Sequence, residues 1–161
     1  MNELADKDVQ RPGTIPWPPL LMIGLGGAAV ASQSLVPVSW PGLDDGAARV
    51  IGLGFGIIGV TLIVWTAITL NRHRTTILPN KGATSLVTDG PFRWRRNPIY
   101  LGEILLLLGA AELTKNVWFV AAAAIFGIAV TILQIIPEER HLEAKFGEAW
   151  RAYAARTRRL L

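Results

Sequence analysis

Twenty consecutive residues, 17–36, carry no charge, and a stretch of that length crosses about 30 Å of hydrocarbon as a helix. Further apolar runs follow at about 47–70, 98–111 and 117–136, separated by polar connections. The expected fold is therefore all-α: a polytopic membrane protein with four transmembrane helices in one unit spanning 1–161. Residues 1–16 mix both signs of charge with Pro12 and Pro16 and are expected to form a flexible tail. Trp17 and Trp40 flank the first span as interfacial anchors.

Two local resemblances inside these runs are set aside on their flanks. Ala29-Val30-Ala31 looks like a signal-peptidase site, but Glu3, Asp6 and Asp8 stand against Lys7 and Arg11 where a signal peptide is clearly positive. GLGFG, at 52–56, looks like a dinucleotide loop, but no strand precedes it. Gly52 and Gly56, four apart, are instead expected to admit a close helix neighbour.

Fourteen of the 16 lysines and arginines lie in 1–16, in the 71–97 connection or after Pro137, leaving Arg49 and Lys115 for the other two loops. The positive-inside rule then puts both termini and the 71–97 connection in the cytoplasm. The net charge of +4 suits anionic headgroups of membrane lipids; the basic residues sit between apolar segments rather than striping a soluble face, so nucleic acid is not an expected partner. The chain has no cysteine, which excludes disulfides, thiolate zinc and a cysteine nucleophile.

The 71–97 connection carries turn signals at Leu78-Pro79-Asn80, Lys81-Gly82 and Asp89-Gly90-Pro91. Beyond the hairpin at Glu112, Thr114, Lys115 and Asn116, Pro137 is expected to end the fourth span. Residues 137–157 are expected to form an amphipathic helix at the interface, with Leu142, Phe146, Ala149, Trp150 and Tyr153 on one face.

The chemistry concentrates in TDGPFRWRRNPIYLGE, 88–103, where a basic loop turns into an apolar helix. Asn97 is a good N-cap and Pro98 a good first helical residue, so free amides and a positive dipole end face the cytoplasmic boundary. Such a helix start binds a carboxylate or phosphate, or is simply a well-capped entry to the bilayer. Glu103 lies inside the span with Tyr100 three residues before it. An acid there faces a cavity or a partner, the internal candidates being Arg96, His73 or a backbone donor. Glu138 and Glu139 return to the same side after the fourth span; neighbours on a helix diverge by about 100°, so one faces inward while the other meets solvent or an arginine. Alternatively they serve the dipole of the last helix. His73 and His141 lack metal-ligand spacing, and no metal is expected. Ser85 lacks a nucleophile-elbow context.

GPFRWRRNPIYLG and, one hairpin later, EERHLEAKFGEAWRAY resemble the paired motifs of the isoprenylcysteine carboxyl methyltransferase family and the wider group that includes phospholipid N-methyltransferases. The resemblance covers 84–159, and the first two spans share only hydropathy with it. It implies an integral-membrane methyltransferase using S-adenosylmethionine, with Arg96, Asn97, Pro98, Tyr100, Leu101, Gly102, Glu138, Glu139 and His141 as cofactor residues. Catalytic roles are expected for Arg96, Tyr100 and Glu103. The implied acceptor is a lipophilic small molecule or lipid entering from the bilayer, and the expected site is the bacterial inner membrane. Carboxyl O-methylation is the first expectation and phospholipid N-methylation the second. NPIYLGE also resembles membrane sterol reductases, which use NADPH, and a non-enzymatic scaffold is a further alternative. Many family members carry histidine where this chain has Asn97, and an amide orients without titrating.

Overall fold

The computed structural model describes residues 17–42, 44–75 and 85–160. The expected tail and the turns expected at 78–82 lie outside the described residues, as does the side chain of Trp17. Among the described residues every regular element is a helix, with no strand. Helix α1 is Trp17–Leu35, α2 is Gly46–Arg72 and α3 is Pro98–Thr114. Helix α4, Trp118–Val130, runs through a π-helical turn, Thr131–Ile135, directly into α5, Ile136–Phe146. The last helix, α6, is Glu148–Arg156.

Three helical stretches are long and apolar enough to cross a membrane: Pro18–Leu35, Gly46–Arg72 and Trp118–Phe146. Burial is inverted as lipid requires. Ile23, Leu35, Val50 and Ile128 are exposed, whereas Thr66, Glu103 and Gln134 are buried. Helix α3, the remaining expected span, has 17 residues, about 25 Å of rise. It lies along α2, while α1 packs on α4 and α4 on α3.

Glycines set the α2–α3 distance. A Cβ on Gly59 would stand 2.7 Å from the Gly102 carbonyl, and one on Gly109 would stand 2.9 Å from the Gly52 carbonyl. Gly52 and Gly59 therefore face Gly109 and Gly102 in antiparallel register, seven residues apart on each helix. Gly56, expected with Gly52 to admit a close neighbour, does so through its backbone: a Cβ on Gly109 would stand 3.0 Å from the Gly56 nitrogen, although one on Gly56 itself would meet nothing within 4 Å.

Helix ends follow local chemistry. Asp45 caps α2, its Oδ1 accepting from the Ala48 amide at 2.8 Å. Lys115 closes α3 in the left-handed region (φ 54°), with its ammonium on the Glu112 carboxylate and 5.5 Å above the Trp40 ring. Pro137 does not end the fourth span. Proline lacks an N–H and clashes with the carbonyl four residues back; the preceding π turn accommodates it, and the helix continues to Phe146. Nor is 137–157 one helix. Gly147, at φ 53° and ψ −121°, breaks it, and this rotation buries Trp150 and Tyr153 while leaving Ala149 exposed.

Candidate functional site

The loop before α3 is held by the chain's far end. The amide of Arg96 donates to the Arg158 carbonyl at 2.9 Å and that of Arg158 to the Trp94 carbonyl at 3.3 Å. This makes a short parallel bridge. Tyr153 Oη donates to the Phe92 carbonyl at 2.8 Å, and Asn97 Nδ2 donates to the Arg159 carbonyl at 2.9 Å.

Arg96 sits at the centre of this arrangement. Its Nε donates to Glu139 Oε1 at 2.9 Å, and its Nη1 donates to the carbonyls of Ala154, at 2.8 Å, and Thr157. The other oxygen of Glu139 accepts from Arg159 Nη2 at 2.7 Å. Glu139 is thus clasped between two guanidiniums, one buried and one half-exposed. This ion-pair node stitches the α3 loop, α5 and the segment after α6. Nothing in the sequence pointed to residues 157–159, because three of the bonds end on their main-chain carbonyls, which any residue type supplies.

Asn97 does not cap α3 with its side chain; its Nδ2 instead donates to the Arg159 carbonyl. Pro98 is buried beside it. The first bond of the helix is Leu101 N–H to the Asn97 carbonyl at 3.2 Å. The amides of Ile99 and Tyr100 precede it, and a helix start leaves such donors for another partner.

A second node lies one turn deeper. Tyr100, 9% exposed, packs with Leu107, Phe126, Val130 and Ile135. It stands within electrostatic reach of both Glu138 and Glu103. The Gln134 side chain, from the π turn, is buried one helical turn before Glu138. Glu103 is 8% exposed, and its Oε2 has no hydrogen-bond partner among the described residues. It pairs with neither expected cation: Arg96 holds Glu139, and His73 Nε2 lies 2.8 Å from Asp89 Oδ1.

The expected site residues therefore divide. Arg96, Asn97 and Glu139 meet at the ion-pair node, and Tyr100, Glu103 and Glu138 at the deeper one. Gly102 lies on the opposite face of α3 from Tyr100, against α2, where a Cβ would stand 2.8 Å from the Gly59 carbonyl. Leu101 and His141 are half-buried. The sequence reading missed Gln134, whose signal was a lone amide side chain in an otherwise apolar run. Among the described residues no three histidine, aspartate or glutamate side chains group as metal ligands.

The chemistry of the two nodes differs. In the first, cation and anion already satisfy each other. In the second, the Glu103 and Glu138 carboxyls lie within electrostatic reach of the Tyr100 phenol, and Glu103 Oε2 has no hydrogen-bond partner among the described residues; a cationic or hydrogen-bond-donating ligand is what such a set accepts.

Comparison with known proteins agrees with the paired motifs. The nickel-cobalt-cadmium resistance protein NccN of Alcaligenes xylosoxydans xylosoxydans is 27% identical over 120 residues, covering 71% of this chain and 51% of that protein. The chain thus spans about half the length of that relative. No solved structure matches. The family model described as phospholipid methyltransferase matches residues 47–149, so family likeness reaches back through α2, further than the motifs alone indicated. Covering both nodes apart from the final strap, this match places the chain in the phospholipid methyltransferase family.

Proposed function

We propose that the chain is an S-adenosylmethionine-dependent methyltransferase of the membrane, acting on a lipophilic acceptor that arrives from the bilayer. The carrying observation is the convergence of Glu103 and Glu138 on Tyr100, beneath the start of α3. The cofactor is a sulfonium bearing a transferable methyl group, with an ammonium, a carboxylate and ribose hydroxyls. The residues suit it. The amides of Ile99 and Tyr100 at the α3 start are suited to the carboxylate. Glu138 takes the ammonium or the ribose hydroxyls, and Tyr100 contacts the adenosyl portion. Arg96 and Glu139 hold the loop and α5 together, so their role is to keep this wall in place. The basic loop supports a site on the cytoplasmic side of the inner membrane, with α3 as a fourth, recessed span.

Methyl transfer depends chiefly on alignment of nucleophile, methyl and sulfonium. A carboxylate acceptor is already ionised at neutral pH and needs only that alignment, so carboxyl O-methylation of the isoprenylcysteine type is the first reading. An amine acceptor must lose a proton, and the unpartnered Oε2 of Glu103 favours this as the second reading.

Equilibrium binding of radiolabelled S-adenosylmethionine and of NADPH to the purified full chain tests the proposal. Binding of the first alone supports it; binding of NADPH alone supports a reductase, and binding of neither removes it. Mass spectrometry of native lipid extract incubated with labelled cofactor then separates alkali-labile methyl esters from alkali-stable N-methyl products.

A further inference from the structure

The C-terminal half of α2 carries an open groove lined by Val60, Thr61, Val64, Trp65 and Ile68, all of them exposed. Gly52, Gly59 and Ile63 form the row of α2 that meets α3. At about 100° per residue the groove falls on the opposite side of the helix. It opens away from α3, so whatever fills it is separate from the acceptor that Tyr100 and Glu103 would meet.

The loop before α3 reaches the edge of this groove. Trp94 meets Trp65 edge to face, with ring centroids 5.9 Å apart, although Trp94 remains 56% exposed and Trp65 40%. The loop is fixed where it stands. Gly90, at φ 56°, lies so close to α2 that a Cβ would stand 2.7 Å from Thr69 Oγ1, and the Trp94 carbonyl accepts from the Arg158 amide at 3.3 Å. Paired, exposed indoles beside an apolar surface suit the headgroup level of a bilayer, where one end of the ring is apolar and the other wet.

Cations follow the indoles. Arg72, seven residues beyond Trp65, falls on the same side of α2, and Arg93 and Arg95 flank Trp94. Arg95 Nη1 donates to the Trp94 carbonyl at 3.5 Å. Arg72 and Arg93 are exposed, and no ion pair engages either guanidinium among the described residues. The neighbouring acid, Asp89, lies 2.8 Å from His73 Nε2. The order along α2 is thus an apolar groove, then indoles, then unpaired cations.

We propose that this groove is a docking site for an anionic phospholipid: one acyl chain lies along 60–68 beneath Trp65 and Trp94, and the phosphate meets Arg72 and Arg93. The charge of these arginines favours an anionic headgroup over a zwitterionic one. The site stands independently of the methyltransferase reading.

Photolabelling tests it. The full chain is reconstituted in phosphatidylcholine vesicles containing a few mole per cent of phosphatidylglycerol or of phosphatidylcholine with a diazirine in the acyl chain, and the adducts are mapped by mass spectrometry. Phosphatidylglycerol is expected to label 60–68 in preference to the other exposed apolar faces, and phosphatidylcholine to label it several-fold less. Arg72→Gln and Arg93→Gln are each expected to lower groove labelling by phosphatidylglycerol about fivefold, whereas Arg140→Gln and Arg156→Gln, exposed arginines on α5 and α6, leave it unchanged. Equal labelling by both lipids, adducts spread evenly over α1, α2 and α4, or equal losses in all four variants overturn the proposal, because they describe a general lipid annulus. A groove left unlabelled, with a second copy of the chain crosslinked there, overturns it too. If either groove variant fails to fold, judged by circular dichroism, the wild-type chain at 1 M salt replaces it. Screening there is expected to bring phosphatidylglycerol labelling down to the phosphatidylcholine level, and a preference that persists overturns the proposal.

Discussion

Arg96 Nε and Glu139 Oε1 meet at 2.9 Å across 43 residues of sequence, with only 11% and 13% of their side chains exposed. Removing one member of a buried pair is more damaging than the pair is stabilising, because the survivor keeps its desolvation penalty. Glu139→Gln leaves Arg96 and Arg159 without their shared anion. A loss of about 2–4 kcal/mol is expected, read as lower thermal stability in detergent with helical content preserved. Arg159→Ala, which removes the half-exposed arm, is expected to cost less, about 1 kcal/mol.

The glycine register makes a cleaner structural prediction. Gly59→Ala introduces a Cβ 2.7 Å from the Gly102 carbonyl and 3.1 Å from Leu106 Cγ, which forces α2 and α3 apart. Overpacking of this kind costs about 1–3 kcal/mol. Gly54→Ala, where nothing lies within 4 Å, is expected to melt like the wild type. Equal melting temperatures for the two variants would contradict the register.

Gly147 adopts a positive φ of 53° with ψ −121°, which a side chain makes unfavourable. Gly147→Ala is expected to destabilise the chain by about 1–3 kcal/mol. It is also expected to loosen α6 from the Arg96 loop, so limited proteolysis should cut near 147 faster than in the wild type.

Burial pushes the Tyr153 phenol up to about 12, although the nearby Arg96 guanidinium pulls the other way. A folded value above the ordinary 10.0 means that the folded chain retains a proton which the unfolded chain releases. The stabilisation is complete below about pH 10 and is lost as pH rises through about 12. Tyr153→Phe is expected to lose the bond to the Phe92 carbonyl, about 1 kcal/mol at neutral pH. Its melting temperature should then fall less steeply than that of the wild type in alkali.

Glu103 tests activity against stability. A buried carboxyl with an unpartnered oxygen inside an apolar helix is costly, so Glu103→Gln is expected to raise the melting temperature. On the reading that Glu103 faces the acceptor, the same variant keeps cofactor affinity and loses turnover, by about tenfold or more. Full turnover would return Glu103 to a structural role.

Much of the architecture was legible along the chain. Hydropathy over about 20 residues is a property of a segment by itself, so three long spans and a shorter helix beginning at Pro98 could be read without knowing their neighbours. The pairing of the Arg96 region with the Glu138-Glu139 region was also legible, because two motifs flank one hairpin and the topology returns them to the same end. Pro137 misled, since the usual consequence of a proline is a helix end, and the π turn that absorbs it leaves no compositional mark. Gly147 was passed over because the apolar face on either side of it continued at helical spacing.

Which side chains touch was decided only by the tertiary structure. Asn97 was a cap by residue type, yet its amide found the Arg159 carbonyl. Arg96 was a candidate ligand by motif, yet its Nε and Nη1 are engaged by Glu139, Ala154 and Thr157. Glu138 and Glu139 were adjacent in sequence and one was expected to meet an arginine; only the packed structure shows that it is Glu139. The sequence by itself determined which segments are helices long and apolar enough to cross a membrane, because that depends on each segment's own composition. Partner choice depends on helix rotation, register and main-chain carbonyls, and these acquire values only when the segments pack.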